Sequence, residues 1–139
     1  MTEQLSSLAL QALAIVEESG AIISANHAHP HTIRHKGRID LVTETDIAVE
    51  AFLKERLAAL TPGAGFLAEE NAEDLRLPDT CWIIDPVDGT TNFAHGLPLT
   101  VTSVAYRLNG ETVLGIINAP LLRECYIAEK GKGAWRNGE

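Results

Sequence analysis

The sequence predicts an α+β fold, with two helices packed on a largely antiparallel sheet, from three observations. Apolar residues recur at helical spacing in two segments of the N-terminal half. Short strand-like segments then follow one another, and one of them is uniformly apolar. An Asn109-Gly110 pair between two of these segments is typical of a tight β-hairpin. Helices followed by strands that fold back on each other form one layered unit.

The first helix is predicted over residues 3–24, where apolar side chains repeat with helical periodicity and Gly20 is a small irregularity. Residues 26–38 are polar and predict a mobile loop. The histidines of this stretch alternate in a pattern that can bind zinc or nickel, but Pro30 and the lack of apolar neighbours favour a solvated loop instead. These histidines are His27, His29, His31 and His35.

The second helix is predicted to end near Leu60. Residues 40–42 predict a short extended piece before it, and Thr43 or Thr45 is the expected N-cap. Helical spacing predicts an inward face of five apolar residues, namely Ile47, Val49, Phe52, Leu53 and Leu57.

The strands are predicted from apolar runs that lie between turn signals. Residues 65–68 predict a short strand and residues 71–80 an acidic surface loop. Residues 82–84 have no polar alternation, which predicts a strand buried on both faces that ends at Asp85. Three further strands complete the predicted sheet, at residues 98–107, 112–117 and 124–129.

Composition and charge exclude several classes of function. The 139 residues are 45% hydrophobic and 22% charged, as in ordinary globular proteins. The formal net charge of −8 argues against direct DNA binding, which needs a basic surface. Cys81 and Cys125 match no zinc spacing and are predicted to be buried, reduced thiols. Since we recognise neither a membrane-spanning stretch nor a signal peptide, we expect a cytoplasmic protein without membrane association.

The segment DPVDGTTNF, residues 85–93, is the strongest indication of function. A buried strand delivers Asp85 to its carboxyl end, Pro86 is expected to stop the strand ladder, and Asp88 follows, so both carboxylates can converge on one point. Gly89 permits a tight turn or a close approach of backbone. Two carboxylates at one strand end repel each other unless a cation joins them, and oxygen ligands favour Mg²⁺, Mn²⁺ or Ca²⁺.

Further groups near this segment can complete a cation site. The carbonyl of Val87 lies between the two aspartates, and Glu69 and Glu70 end the neighbouring strand. Two metal ions about 4 Å apart would clamp a phosphoryl group and activate a water. A short helix after Gly89 would offer its N-terminus to a phosphate. A solvated surface turn is the alternative interpretation of the first five residues alone, and an EF-hand does not fit.

Residues 85–93, preceded by Trp-Ile-Ile, closely resemble the first signature of the inositol monophosphatase family. Three other segments resemble family elements in the same order and spacing, so the resemblance covers essentially the whole chain. They are Lys36 with residues 40–46, residues 66–70 with Ala68 where glycine is common, and residues 131–138. The resemblance implies that residues 1–139 form the N-terminal, incomplete part of a layered αβαβα sugar-phosphatase fold, and that the complete protein is a homodimer.

The resemblance also implies roles for individual residues. The implied metal ligands are Glu69, Asp85, Asp88 and the Val87 carbonyl. The implied substrate-binding residues are Asp88, Gly89 and Thr90. Thr90, paired with Asp46, would orient the attacking water and help to deprotonate it, with Glu70 as an adjacent acid. Lys36 would lie near the site in a loop, although a solvated lysine is an equally simple interpretation.

The implied reaction is Mg²⁺-dependent, lithium-sensitive hydrolysis of a small phosphate monoester by metal-activated water, with inositol monophosphate as the first candidate substrate. Relatives act on fructose bisphosphate, histidinol phosphate or adenosine bisphosphates, so the phosphorylated sugar or polyol stays open. A haloacid-dehalogenase phosphatase is disfavoured, because its aspartates are two residues apart and those in residues 85–88 are three apart.

The family's second signature, Trp-Asp-x-Ala-Ala-Gly, has no counterpart in this chain. Because its Asp is a metal ligand in the family, residues 1–139 alone are expected to bind metal weakly and to turn over slowly or not at all. A non-catalytic binding module of the same fold, truncated or regulatory, is therefore the alternative. An apolar face without the rest of the fold is expected to favour aggregation or association.

Overall fold

The computed structural model describes residues 3–28, 35–68 and 77–139, with residues 35–40 described by their backbone alone. Two long helices precede the sheet and a one-turn helix interrupts it. The elements are α1 (Ser7–His27), α2 (His35–Leu60), β1 (Gly65–Ala68), β2 (Cys81–Asp88), α3 (Thr90–Ala94), β3 (Val101–Leu108), β4 (Glu111–Ala119), β5 (Glu124–Glu129) and β6 (Gly133–Arg136).

The strands form one six-stranded sheet whose spatial order follows the order of the chain, from β1 to β6. β1 runs parallel to β2, and every later neighbouring pair is antiparallel. The predicted α+β class with a largely antiparallel sheet is confirmed. β5 has the predicted bounds, whereas β3 begins three residues later than predicted, at Val101, and β4 extends to Ala119.

Helix α1 packs closely on the sheet through Gly20, which is buried. A Cβ atom at Gly20 would lie 2.7 Å from Nδ2 of Asn118 and 3.0 Å from Cβ of Pro120, which is closer than van der Waals contact allows. The glycine that appeared in the sequence as an irregularity is therefore a requirement for close helix–sheet packing. The N-terminus of α1 is capped by Ser6, whose Oγ accepts a hydrogen bond from the backbone N–H of Ala9 at 3.1 Å.

By length and composition, one helix among the described residues, α1, is long and apolar enough to cross a membrane. Sequence patterns did not single out this segment, and length and composition alone do not make it a membrane span. One third of the apolar window is buried within the fold, and α1 packs against α2, β3, β4 and β5. A core helix of a water-soluble protein passes the same test of length and composition.

Helix α2 begins earlier than the sequence predicted. It is helical from His35, so residues 40–42 are not extended and neither Thr43 nor Thr45 is an N-cap. Two interactions explain the difference. Leu41 packs partly buried against the core, and Oγ1 of Thr45 donates a hydrogen bond at 2.6 Å to the Leu41 carbonyl one turn earlier. Of the predicted loop at residues 26–38, the beginning and end are thus helical, and residues 29–34 lie outside the described ranges.

The core lies between the sheet and the helices α1 and α2. Val49, Leu53 and Leu57 of α2 are fully buried and Phe52 is partly buried, as predicted, but Ile47 is 58% exposed. Ile47 follows Asp46 on the side of α2 that faces a cavity, so helical spacing alone misplaced it. The two cysteines are free and buried, as predicted, and burial raises the pKa of the Cys81 thiol above its usual value.

Candidate active site

Strand β2 carries the acidic segment, and it does not end at Asp85 as predicted. It continues through Pro86 to Asp88, with a shift in its register against β3. A β-bulge accommodates a proline because a residue that leaves the regular ladder needs no N–H for it. The carbonyl of Pro86 instead accepts a hydrogen bond from Oγ1 of the buried Thr102 at 2.8 Å.

The register shift places the two aspartates on one face of the sheet. Asp85 lies opposite Ser103 and Asp88 lies opposite Val101, so three steps along β2 match two steps along β3. Directly opposed residues share a face, and residues two apart on one strand share a face. Asp85 and Asp88 therefore project from the same face, whereas an unbroken strand would have put them on opposite faces. The bulge gives a geometric basis for the predicted convergence of their carboxylates.

The turn after β2 is built around Gly89. This residue is the N-cap of α3 and has a φ of 91°, in the left-handed region. A Cβ atom there would lie 2.6 Å from the backbone oxygen of Leu99. The same Leu99 oxygen accepts a hydrogen bond from Nδ2 of Asn92 at 3.0 Å, and Phe93 is buried in the core. Both features expected of Gly89, the tight turn and the close approach, are present.

An open cavity of about 540 Å³ lies between α2 and α3. It is lined by Asp46 from α2 and Thr90 from α3, the two residues that the resemblance pairs. Asp46 is half-buried and Thr90 is exposed. Sequence reasoning missed three other lining residues, Val42, Thr43 and Ile47. Val42 and Thr43 precede Asp46 by four and three residues, and Ile47 follows Thr43 by four; this spacing is the signal that places such residues on the same side of a helix.

The two halves of the predicted site are neighbours along the chain. Asp85 and Asp88 do not belong to the described lining of the cavity, but Gly89 alone separates Asp88 from Thr90. Asp85 is half-buried, with one carboxylate oxygen shielded from solvent, and Asp88 is exposed. The buried side chain of Val87, 1% exposed, fixes the segment to the core between them.

Several predicted residues fall outside what the structure describes. Glu69 and Glu70 lie outside the described residues, so their predicted roles as metal ligand and adjacent acid stay predictions. Lys36 belongs to the first turn of α2 rather than to a loop, and its side chain is not among those described. Of the four histidines, His29 and His31 are outside the described ranges.

A divalent cation fits the described donors, Asp85, Asp88 and the Val87 carbonyl. Within residues 3–28, 35–68 and 77–139, no three acidic, histidine or cysteine side chains cluster to hold a metal ion. The predicted set is Glu69, Asp85, Asp88 and the Val87 carbonyl, and one of its three carboxylates lies outside these ranges. The two described carboxylates share a face at a strand end, and such oxygen donors suit Mg²⁺ better than zinc or nickel.

The six-stranded sheet and the acidic turn on its bulged strand define an α+β fold that carries two aspartates at one strand end. A family model described as the inositol monophosphatase family matches residues 4–139. An inositol monophosphatase of Dictyostelium discoideum is 42% identical over 132 residues, which cover 92% of this chain and 48% of that protein. The chain belongs to the inositol monophosphatase family.

Two further comparisons extend this result. A fructose-1,6-bisphosphatase/inositol-1-monophosphatase of Thermotoga maritima is 44% identical over 100 residues, which cover 72% of this chain and 38% of that protein. The crystal structure of inositol monophosphate-bound SaIMPase-II, a staphylococcal protein, is 26% identical with a TM-score of 0.73, covering 91% of this chain and 44% of that chain. This chain thus spans roughly half the length of the relatives it matches.

Proposed function

We propose that this chain supplies the acidic half of a Mg²⁺-dependent phosphate monoesterase that hydrolyses a small phosphorylated polyol or sugar. Inositol monophosphate is the first candidate substrate. The relative from Dictyostelium discoideum carries that activity in its name, and the staphylococcal structure contains inositol monophosphate. The double name of the Thermotoga maritima relative keeps fructose bisphosphate as a second candidate. The bulge that places Asp85 and Asp88 on one face is the observation that carries the proposal.

In this proposal Asp85 and Asp88 hold Mg²⁺ with the Val87 carbonyl and Glu69. Bound Mg²⁺ supplies charge neutralisation for the phosphoryl group and a lowered pKa for a nearby water. The net charge of −8 favours such a cation, because the 19 acidic residues outnumber the 11 basic ones and an anionic substrate needs positive charge.

The other residues bind the substrate phosphate and orient the attacking water. The backbone amides of Gly89 and Thr90 hold the substrate phosphate. Thr90 and Asp46 line one cavity from two helices, and there they orient a water and accept its proton. Glu70 lies next in the chain to Glu69 and would shape the same acidic region.

The metal site can be tested without turnover. Mn²⁺, which is paramagnetic and takes the same oxygen ligands as Mg²⁺, is titrated into the 139-residue chain, and bound ion is counted by electron paramagnetic resonance. Asp88→Asn is expected to weaken binding at least tenfold, because it removes one charged ligand. Asp79→Asn is the matched control, since Asp79 is an exposed aspartate outside the acidic turn. Equal Mn²⁺ affinity in both variants would remove the assigned role of Asp88.

Turnover is tested separately, by phosphate release from inositol monophosphate and from fructose 1,6-bisphosphate with and without Mg²⁺. Asp88→Asn is expected to abolish whatever Mg²⁺-dependent release the unsubstituted chain gives. Lithium is expected to inhibit it, as family membership suggests.

A non-catalytic binding module of the same fold is the second candidate. The chain covers 48% of the Dictyostelium discoideum relative, so a large part of that protein has no counterpart here. Because residues 1–139 alone are expected to turn over slowly or not at all, the same assay on the complete protein decides: Mn²⁺ binding through Asp88 without phosphate release would support the binding module. The homodimer and the cytoplasmic location stay predictions for the complete protein.

A further inference from the structure

The last turn of α1 contacts both helices that line the cavity. Nδ2 of Asn26 donates a hydrogen bond at 2.7 Å to Oγ1 of Thr45 on α2. Nε2 of His27 lies 3.1 Å from the carbonyl oxygen of Gly96, in the turn that follows α3. Consecutive residues of a helix point about 100° apart, which lets two neighbours reach two different elements.

The contact to α2 has a fixed direction. Thr45 is fully buried, and its single hydroxyl proton is donated to the carbonyl of Leu41 at 2.6 Å. The hydroxyl oxygen can therefore only accept from Asn26, so a side chain without a hydrogen-bond donor cannot replace that of Asn26. Thr45 directly precedes Asp46, and the contact fixes α2 at the position of the cavity carboxylate.

The contact to α3 has two parts. Because a carbonyl only accepts, Nε2 of His27 carries the hydrogen, and both the neutral Nε2–H tautomer and the imidazolium satisfy the bond. The imidazole ring also packs against Phe93, with ring centroids 6.1 Å apart. Since α3 is a single turn, Thr90–Ala94, a contact at Phe93 and Gly96 also restrains Thr90.

We propose that Asn26 and His27 are positioning residues, which set the distance between α2 and α3 and thereby the approach of Asp46 to Thr90. The inference rests on the proposed function, in which that pair orients water. Both side chains are half-buried and neither lines the cavity as described, so they act through Thr45 and Gly96 rather than by touching substrate.

The test follows backbone amide signals of the 139-residue chain by ¹H–¹⁵N NMR. His27→Phe keeps a ring beside Phe93 and removes the donor to Gly96. It is expected to shift the amide signal of Asp46 on α2, although the hydrogen bond and ring contact of His27 are to Gly96 and Phe93. Asn26→Leu removes the donor to Thr45 and is expected to shift the signal of Thr90 in the same indirect way. A role confined to local folding would move only the signals of the contacted helix.

Two controls complete the design. His27→Gln retains an N–H donor at similar reach and is expected to restore the Asp46 signal. His95→Phe changes an exposed histidine in the same turn and is expected to leave it unmoved. If His27→Phe fails to fold, His27→Asn, which is polar but too short, takes its place. Shifts confined to the contacted helix, or equal shifts in the His95 variant, would overturn the inference.

A measurement of Mn²⁺ affinity distinguishes a failure of this inference from a failure of the proposed function. Mn²⁺ affinity is expected to be unchanged in the His27 and Asn26 variants, because three of the four proposed ligands, Asp85, Val87 and Asp88, lie on β2. Where the chain turns over, kcat should fall on the order of tenfold with KM unchanged, as for misplaced catalytic groups. Absence of Mn²⁺ binding in the unsubstituted chain would count against the proposed metal site, while the NMR shifts would still decide the positioning role.

Discussion

Gly89 meets two requirements that a larger residue cannot meet together. Its φ of 91° lies in the left-handed region, and the space that a Cβ would need is occupied by the Leu99 carbonyl. Gly63 has a similar φ of 88°, but nothing lies within 4 Å of the point that its Cβ would occupy, so it meets the first requirement alone. A comparison of the two glycines therefore distinguishes the cost of a left-handed backbone, which both would show, from the cost of the close contact, which only Gly89 would show.

Replacing Gly89 with alanine should therefore cost more stability than replacing Gly63. Gly63→Ala is expected to lower the free energy of unfolding by about 1–2 kcal/mol, the cost of a left-handed alanine. Gly89→Ala should cost about 2–4 kcal/mol, because the 2.6 Å contact with the Leu99 oxygen forces the backbone to move. Urea unfolding curves of the two variants measure the difference. Equal losses of stability would mean that the backbone around Gly89 moves away from the added Cβ at little cost.

Cys125 couples stability to alkaline pH. Burial, with Glu17 beside it, raises the pKa of the Cys125 thiol to about 12. In the unfolded chain a thiol has a pKa of about 8.5. Between these values the unfolded state loses a proton that the folded state keeps, so the free energy of unfolding falls as pH rises.

Removing the thiol should therefore flatten the alkaline side of the stability profile. From pH 8.5 to 9.5 the contribution of Cys125 to the free energy of unfolding is expected to fall by about 1 kcal/mol. Urea unfolding under reducing conditions is compared for the unsubstituted chain and Cys125→Ala at these two pH values. Because Cys81 is present in both chains, the difference in slope belongs to Cys125. Parallel profiles would contradict a strongly raised pKa.

The bulge in β2 depends on a side chain from the next strand. Thr102 donates to the Pro86 carbonyl and is fully buried, so Thr102→Val should leave that carbonyl without its donor. We expect a loss of about 1–3 kcal/mol in the free energy of unfolding. Mn²⁺ binding should also weaken, because the bulge places Asp85 and Asp88 on one face.

Thr100→Val is the matched control for this prediction. Thr100 is also buried, at 1% exposure, but within the described residues its hydroxyl has no hydrogen-bond partner. Removing that hydroxyl should be neutral or stabilising, since no bond is lost. A Thr102 variant as stable as the Thr100 variant would show that the hydrogen bond to Pro86 does not maintain the bulge.

The same bulge shows what sequence reasoning could predict. The spacing of Asp85 and Asp88 indicated convergence, but period-two alternation in a strand predicts opposite faces, and proline suggested that the strand stops. A pattern read one strand at a time contains no register, which depends on the partner strand. The α+β class, the hairpin at Asn109-Gly110 and the bounds of β5 were predictable because their signals are local.

The prediction of where α2 begins was wrong for a related reason. Residues 40–42 were interpreted as extended from local pattern, whereas packing of Leu41 and the Thr45 back-bond to its carbonyl favour helix. Asp46 and Thr90 could be paired from the resemblance, but their shared cavity, and the contacts of Asn26 and His27 around it, require the arrangement of three helices. No periodicity in the sequence marks such contacts.

The molecule as a whole has two unlike sheet faces. The face toward α1 and α2 carries the buried residues, such as Val104 and Ile116. The opposite face has a row of small residues in register across four strands, flanked by larger exposed ones. The row consists of Ala105, Gly115, Ala128 and Ala134. Beside it, Ile117 is 45% and Tyr126 39% exposed, along an apolar groove of about 290 Å³.

This second face should cause the chain to associate with further copies of itself as its concentration rises. A continuous apolar surface of this kind gains free energy when it leaves water, at about 25 cal/mol per Å². Ile117→Thr keeps the β-branched shape and puts a hydroxyl on the face, so it should shift association to higher concentration. Leu108→Thr changes a residue of similar exposure, 40%, at the hairpin end of β3, and should not. Sedimentation velocity over a range of concentrations compares the three chains. A monomeric unsubstituted chain throughout, or equal shifts in both variants, would mean that this face does not drive association.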